Sequence, residues 1–341
     1  MVMAKRNYSK KGRNIEPAVQ TFVLSGPAIA PGITPTTMYV DLSQVASLLN
    51  RRFYRQGINW AVAGIKIITP SGLVGGVTLS KLPNTWVLSN AWTKSFKAWQ
   101  KLNNEALAEV GSIRPKFLDF KIYADADHHA AGYASNLLPV SLGGVASPGE
   151  WTPSKFVTPN VPGNISQGYE VVAVGANYPG AGASGLNAVS MVEGYAASRA
   201  LPQPDDPFVP GDADDVDGPT PENWITALFQ DGTDQIDEII DDMVSENNQA
   251  PYPFEGDGTN VDTMYPGGAN QLSGMQGHDT ELITSTTIGG TTRLKGGNFP
   301  CGLMRFDFVN DTLEDNLAPL IYIDLIPGNH RGYLCEPMME M

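Results

Sequence analysis

In Leu303-Met304-Arg305-Phe306-Asp307-Phe308, the side chains of Met304, Phe306 and Phe308 fall on one face of an extended chain, and Arg305 and Asp307 fall on the other. A period of two belongs to a strand, and apolar-in, charged-out alternation belongs to an antiparallel sheet with one buried face. Lys116-Phe117-Leu118-Asp119-Phe120-Lys121-Ile122-Tyr123 alternates too, with Leu118, Phe120 and Ile122 opposite Phe117, Asp119, Lys121 and Tyr123.

Eight further runs are rich in β-branched and aromatic residues: Gln20 to Leu24, Met38 to Val40, Trp60 to Ile68, Val74 to Leu79, Trp86 to Leu88, Tyr169 to Val174, Glu281 to Ile288 and Leu320 to Ile326. The 36 Gly and 26 Pro of the 341-residue chain are dispersed between these runs, which is the punctuation of many turns. Roughly ten strands joined by long connections predict an all-β chain built as a two-sheet sandwich with long loops.

Helices are expected as insertions between strands. Ser89 to Leu107 carries Trp92, Phe96, Trp99 and Leu102 at three- and four-residue spacing, with Lys94, Lys97 and Lys101 on the remaining surface. Leu42 to Leu49, with Asp41 as N-cap, and Gly185 to Ala197 are shorter candidates.

Charge is sorted along the chain. The net charge is −14, yet no Lys or Arg lies between Arg199 and Arg293, where 19 of the 36 acidic residues are found. Elsewhere basic residues outnumber acidic ones by five. The acidic stretch, about residues 200–280, reads as a docked, surface-exposed insertion. It is a Pro- and Asp-rich loop over residues 202–221, then a short helix from Pro221 capped by Thr220 and ending by Gly232. A second helix follows, with Ile236, Ile239, Ile240, Met243 and Val244 as its apolar stripe.

The opposite extreme is residues 1–16, a basic arm with Lys5, Arg6, Lys10, Lys11 and Arg13 and few apolar side chains. Such a segment cannot bury enough surface to offset the entropy of ordering it, so it is expected to be a tether that meets polyanions. Arg51, Arg52 and Arg55, beside Phe53, Tyr54 and Trp60, form a second candidate site. Guanidinium and aromatic groups together hold single-stranded nucleic acid by ion pairing and base stacking, and the same residue types anchor subunit interfaces.

Catalytic patterns are sparse. Asp125, Asp127, His128 and His129 form the best cluster for metal or acid-base chemistry, but adjacent histidines lack the i, i+4 spacing of a helical zinc pair, so a polar loop at a strand end is the plainer reading. The run Asp212-Ala213-Asp214-Asp215-Val216-Asp217-Gly218 does not fit a calcium-loop template. There is no nucleophile elbow, phosphate loop or dinucleotide fingerprint, so neither an enzyme nor a bound cofactor or metal is expected. Asn164-Ile165-Ser166 and Asn310-Asp311-Thr312 match glycosylation acceptors. Cys301 and Cys335 are the only cysteines and are expected to be free thiols. No apolar run is long enough to span a membrane, and the N-terminal residues lack a signal-peptide core.

A basic arm, a many-stranded body with long decorated connections and no catalytic signature together resemble coat proteins of small icosahedral viruses. The chain looks like capsid proteins of small circular single-stranded DNA viruses that encode a replication initiator, the CRESS-DNA group. The similar elements are the Lys5-to-Arg13 arm, the Trp86-to-Leu107 passage, the Lys116-to-Tyr123 strand, the Leu137-Leu138-Pro139-Val140 and Gly149-Glu150-Trp151 turns, and the Leu320-to-Ile326 strand. The resemblance implies a single jelly roll over residues 17–341, with the arm facing the interior of a homo-oligomeric shell and the loops outside. It further implies packaging of single-stranded nucleic acid, DNA on the resemblance alone, by the arm, with Arg51, Arg52 and Arg55 as the further nucleic-acid-binding candidates read from their own residue types. The location implied is the virion, with the host nucleus as an assembly site and a surface receptor of unknown identity. The arm is shorter and less charged than in many such capsids.

Two rivals make different predictions. A soluble β-sandwich binding module for a carbohydrate or protein ligand would be a monomer whose function survives loss of the arm. A metal-dependent hydrolase using Asp125, Asp127, His128 and His129 would hold stoichiometric metal.

Overall fold

The computed structural model describes residues 17–70, 74–106, 119–141, 143–158, 167–200, 224–228, 274–284, 290–312 and 318–340. The basic arm, residues 202–221 and the predicted helix at 236–244 lie outside them. In chain order the principal elements are β1 (Thr21–Ser25), β2 (Gly32–Asp41), α1 (Leu42–Asn50), β3 (Ile58–Ile68), β4 (Gly75–Lys81), α2 (Trp86–Ala106) and α3 (Ala126–Ala131). They continue with β5 (Phe156–Thr158), β6 (Gln167–Val172), β7 (Asn187–Ser190), α4 (Met191–Ala200), α5 (Trp224–Ala227), β8 (Gln276–Ile283), β9 (Thr291–Phe299), β10 (Leu303–Asn310), β11 (Leu320–Leu325) and β12 (Cys335–Pro337). The chain is mostly β, in antiparallel sheets with few helices, as its sequence pattern predicts.

One sheet has the order β1-β11-β3-β9, with β12 pairing the first residues of β3; the other has the order β8-β4-β10-β2. The pairings are nested: β1 with β11, β2 with β10, β3 with β9 and β4 with β8, all antiparallel. A single hydrophobic cluster takes side chains from both sheets, among them Phe22, Trp60, Ile67 and Ile323 from the first and Val40, Leu79, Phe306 and Phe308 from the second. The opening hexapeptide behaves as its alternation demands: Met304, Phe306 and Phe308 are fully buried, while Arg305 and Asp307 are half-buried on the outer face of β10.

In β3 the inward parity switches, from Trp60 and Val62 to Ile65 and Ile67. Ala63 is an extra residue there, because Asp324 pairs with Gly64 while the adjacent Leu325 pairs with Val62. Opposite this bulge, a Cβ on Gly296 would sit 2.3 Å from the Val62 carbonyl oxygen and 2.4 Å from that of Ala63, so only glycine fits. That glycine pair at 296–297 breaks the apolar alternation of β9, a strand the sequence pattern does not predict.

The long passage between β4 and β8 carries α2 to α5 and the three-stranded sheet β5-β6-β7, in which β6 and β7 are parallel. It has its own hydrophobic cluster, including Trp92, Trp99, Phe120, Phe156, Val171, Val189 and Trp224, and joins the sandwich strands through Tyr39 and Leu303. Trp224, inside the acidic stretch, is fully buried and donates its indole N–H to the Ser190 carbonyl at 3.1 Å. That part of the insertion is docked by an aromatic anchor.

Four sequence readings need correction. Trp86 to Leu88 is the first turn of α2, because Leu88 is in phase with the Trp92, Phe96 and Trp99 stripe. Of the predicted Lys116-to-Tyr123 strand, Lys116 to Leu118 lie outside the described residues. Asp119 onward is extended but buried on both faces, with a lone bridge from Tyr123 to Val172. Gly185 to Ala197 divides into β7 and α4, since Asn187 to Ser190 pair with β6. Of the strand expected at Glu281 to Ile288, residues 285–288 lie outside the described residues; the described part begins at Gln276, where pairing with Lys81 of β4 sets the register without an apolar face. Cys301 and Cys335 are free thiols, as expected. Asn310 is buried, with its amide donating to the Ile29 carbonyl at 2.9 Å, so it is closed to a glycan; Asn164 lies outside the described residues.

Candidate nucleic-acid interface

The basic patch grows out of the ends of α1. Asp41 caps its N-terminus, accepting from the backbone N–H groups of Ser43 (2.9 Å) and Gln44 (3.3 Å). Its second oxygen accepts from the Gln56 side-chain amide (2.6 Å) and from the Trp151 indole (3.0 Å), which ties the Gly149-Glu150-Trp151 turn to the helix. Burial pushes Asp41 up to about 6 against these four donors. Arg51 ends the helix in the left-handed conformation, at φ 50° and ψ 38°, a geometry usually given to glycine or asparagine.

From that turn the chain presents Arg51, Arg52 and Arg55 to solvent, with Phe53 half-buried among them. Phe53 and Trp151 rings lie 6.5 Å apart, and the two residues line a hollow of about 270 Å³ with Arg51, Arg52 and Glu150. The Lys121 ammonium sits 4.5 Å from the Trp151 ring centroid. Tyr54 and Trp60, which the sequence pattern offered as stacking partners, belong instead to the core and are 1% and 0% exposed. They pack against Tyr333 at 5.5 and 5.3 Å. Tyr54 and Gln56, on either side of the exposed Arg55, point inward, so adjacency in sequence overstated the aromatic surface.

The structure adds a basic residue that sequence adjacency could not supply. Arg331 lies 276 positions beyond Arg55, and its guanidinium donates to the Phe53 carbonyl while its own carbonyl accepts from the Tyr54 hydroxyl at 3.0 Å. It too has a positive φ, 51°. The attachment of the N-terminal arm is at the same place: Arg52 Nη1 lies 3.5 Å from the Pro17 carbonyl, and Val19 N donates to Asn50 Oδ1 at 3.0 Å. Lys5, Arg6, Lys10, Lys11 and Arg13 lie outside the described residues, but the chain that carries them joins the body beside Arg51 and Arg52.

The Asp125, Asp127, His128 and His129 cluster is held by structural bonds. Asp125 caps α3 at the His128 N–H (2.9 Å) and accepts from the Tyr39 hydroxyl (2.7 Å). Arg305 Nη1 donates to Asp125 at 2.8 Å and to Asp127 at 2.9 Å, while its Nε donates to Asp307 at 3.0 Å. These carboxylates raise the Arg305 pKa despite its partial burial. His128 Nδ1 accepts from Ala124 N at 3.0 Å, which fixes the proton on Nε2, facing Asn136 Oδ1 at 2.8 Å. Burial then lowers its pKa to about 3, leaving a neutral ring stacked on Tyr39 at 4.3 Å. His129 faces Glu170 at 3.0 Å, both fully buried. Among the described residues no group of three or more His, Cys, Asp or Glu side chains is placed to hold a metal ion.

Comparison with protein families, with curated proteins and with solved structures returned no match to this chain.

Proposed function

We propose that this chain is a capsid protein that self-assembles into an icosahedral shell and packages single-stranded nucleic acid, DNA by its resemblance to CRESS-DNA virus coats. The architectural part of this reading rests on the strand order. Numbered along the chain without the insertion strands, the eight principal strands pair as 1 with 8, 2 with 7, 3 with 6 and 4 with 5, and the sheets read 1-8-3-6 and 5-4-7-2. A long antiparallel hairpin wrapped around one core has this pattern, and it is the reading that supports a jelly roll, an architecture that capsid proteins share with lectins and cupins.

Shared architecture alone does not choose among those functions. The choice rests on charge: a basic arm rooted beside Arg51, Arg52, Arg55 and Arg331 gives one face the field a polyanion needs, in a chain whose net charge is −14. In this reading the acidic insertion, which leaves the fold between the fourth and fifth strands, faces away from the packaged strand. Among the described residues no helix is long and apolar enough to cross a membrane.

Expression of the full chain, fractionation by size and negative-stain electron microscopy test the proposal. Uniform closed shells are expected. A clean monomer across salt and pH would overturn it and favour the soluble binding module.

A further inference from the structure

Phe53, which lines the Arg51–Arg52 hollow, also lines a second cavity of about 390 Å³, within the size range of small-ligand sites. One wall is aromatic. Trp92 and Phe96 are stacked at 6.4 Å with planes 10° apart, and Phe120 closes the corner at 5.2 Å from Trp92. Trp92 comes this close to the chain because residue 57 is glycine at φ 83°, where a Cβ would be 2.2 Å from the indole ring. The cavity is also lined by Arg55, Arg331 and His330, and no Asp or Glu lines it. An anion carrying a flat π-surface fits that combination.

We propose that this cavity receives one nucleotide of a single-stranded nucleic acid, its base against the Trp92–Phe96 wall and its phosphate at Arg55 and Arg331. The inference rests on the packaging function above and names where on the body the strand is gripped. Arg331 is held for the task from both sides, by its bond to Phe53 and by the Tyr54 hydroxyl on its carbonyl. Phe53 lines both this cavity and the Arg51–Arg52 hollow, so a strand crossing the arginines at the end of α1 reaches the cavity without leaving the basic surface. The one amide in the lining, Gln56, is engaged with Asp41 and with both backbone groups of Ile122. Gln56 is therefore not free to read a base edge, and a grip made by stacking is tolerant of sequence.

The test uses the full chain, with tryptophan fluorescence as readout and two probes, an oligothymidylate and thymidine monophosphate. The parent is expected to bind both. Phe96→Leu, which keeps apolar volume but removes the π-face, and the double change Arg55→Ala with Arg331→Ala should each weaken both probes by about tenfold, the range of one stacked base or one charged contact. Their melting temperatures should stay near the parent's, since Phe96 is half-buried and both arginines are exposed. Deleting residues 1–16 should weaken the oligomer and leave the mononucleotide unaffected. Oligomer binding that is lost with the arm but indifferent to the cavity variants overturns the cavity site and leaves packaging standing. A parent that binds neither probe overturns both. Cavity-dependent binding of the mononucleotide without any binding of the oligomer overturns packaging and the polymer ligand together.

Discussion

Two buried ionisable side chains near the candidate interface answer pH in opposite senses. The folded-state pKa of His128, about 3, lies below its ordinary 6.5, so the unfolded chain takes the proton first. Its contribution is complete above pH 6.5 and is lost as pH falls below that, by about 2 kcal/mol between pH 7 and 5. Asp41, raised from 3.8 to about 6, takes its proton first in the folded state. It therefore adds stability as pH falls through 6, about 1 kcal/mol over the same interval, and partly offsets the histidine. His128→Gln, which keeps an acceptor for Ala124 N, should lower stability at pH 7 but remove the acid-sensitive half of the pair. Urea unfolding at pH 7 and 5 should show the variant gaining stability on acidification where the parent loses it. Equal pH dependence in the two proteins would sink the assignment. The sequence grouped Asp125, Asp127, His128 and His129 correctly as neighbours. What decides their chemistry is Arg305, Glu170 and Asn136, partners brought by the fold and invisible to local spacing.

At the scale of elements, strands that bury one face were legible because their alternation is a direct imprint of the core, as in β10 and β11. Strands whose register is set by a neighbour were not. β8 is an edge strand with a single buried residue, and β9 carries the glycine that the Ala63 bulge requires. α1 was legible down to its cap, since Asp41 is the N-cap residue type that the pattern calls for. α5 shows the opposite case. Its four residues have little helical stability of their own and are fixed by Trp224, which packs 4.8 Å from Phe156. Trp224→Ala should cost about 3–5 kcal/mol, the penalty of emptying a large buried site. Guanidinium unfolding would measure it, and a loss below about 1 kcal/mol would mean that the acidic insertion is not anchored through this residue.

Over the whole molecule, positive charge gathers where the arm meets the body, and the acidic residues concentrate in a segment that leaves between β4 and β8. The candidate interface was thus half legible: the arm and Arg51, Arg52 and Arg55 are contiguous in sequence, whereas Arg331 and the Trp92–Phe96 wall arrive from distant segments. If the five arm charges each neutralise a phosphate of a single strand, they contribute about −3.5 to the log–log slope of affinity against salt, at roughly −0.7 per contact. Oligothymidylate titrations at several salt concentrations should show the slope become shallower by about that amount when residues 1–16 are removed. An unchanged slope would mean that the arm does not touch the strand.

The nested pairing also sets a timetable. Thr21 of β1 is matched with Asp324 of β11, so the first strand has no partner until nearly the entire chain has left the ribosome. At about 5–20 residues per second, some 300 residues take roughly 15–60 s. Through that wait the apolar face of β1 and the edge of β3 that β11 will cover stay open to wrong partners, including other nascent copies on the same message. A translation product ending before residue 320 would carry this exposure permanently.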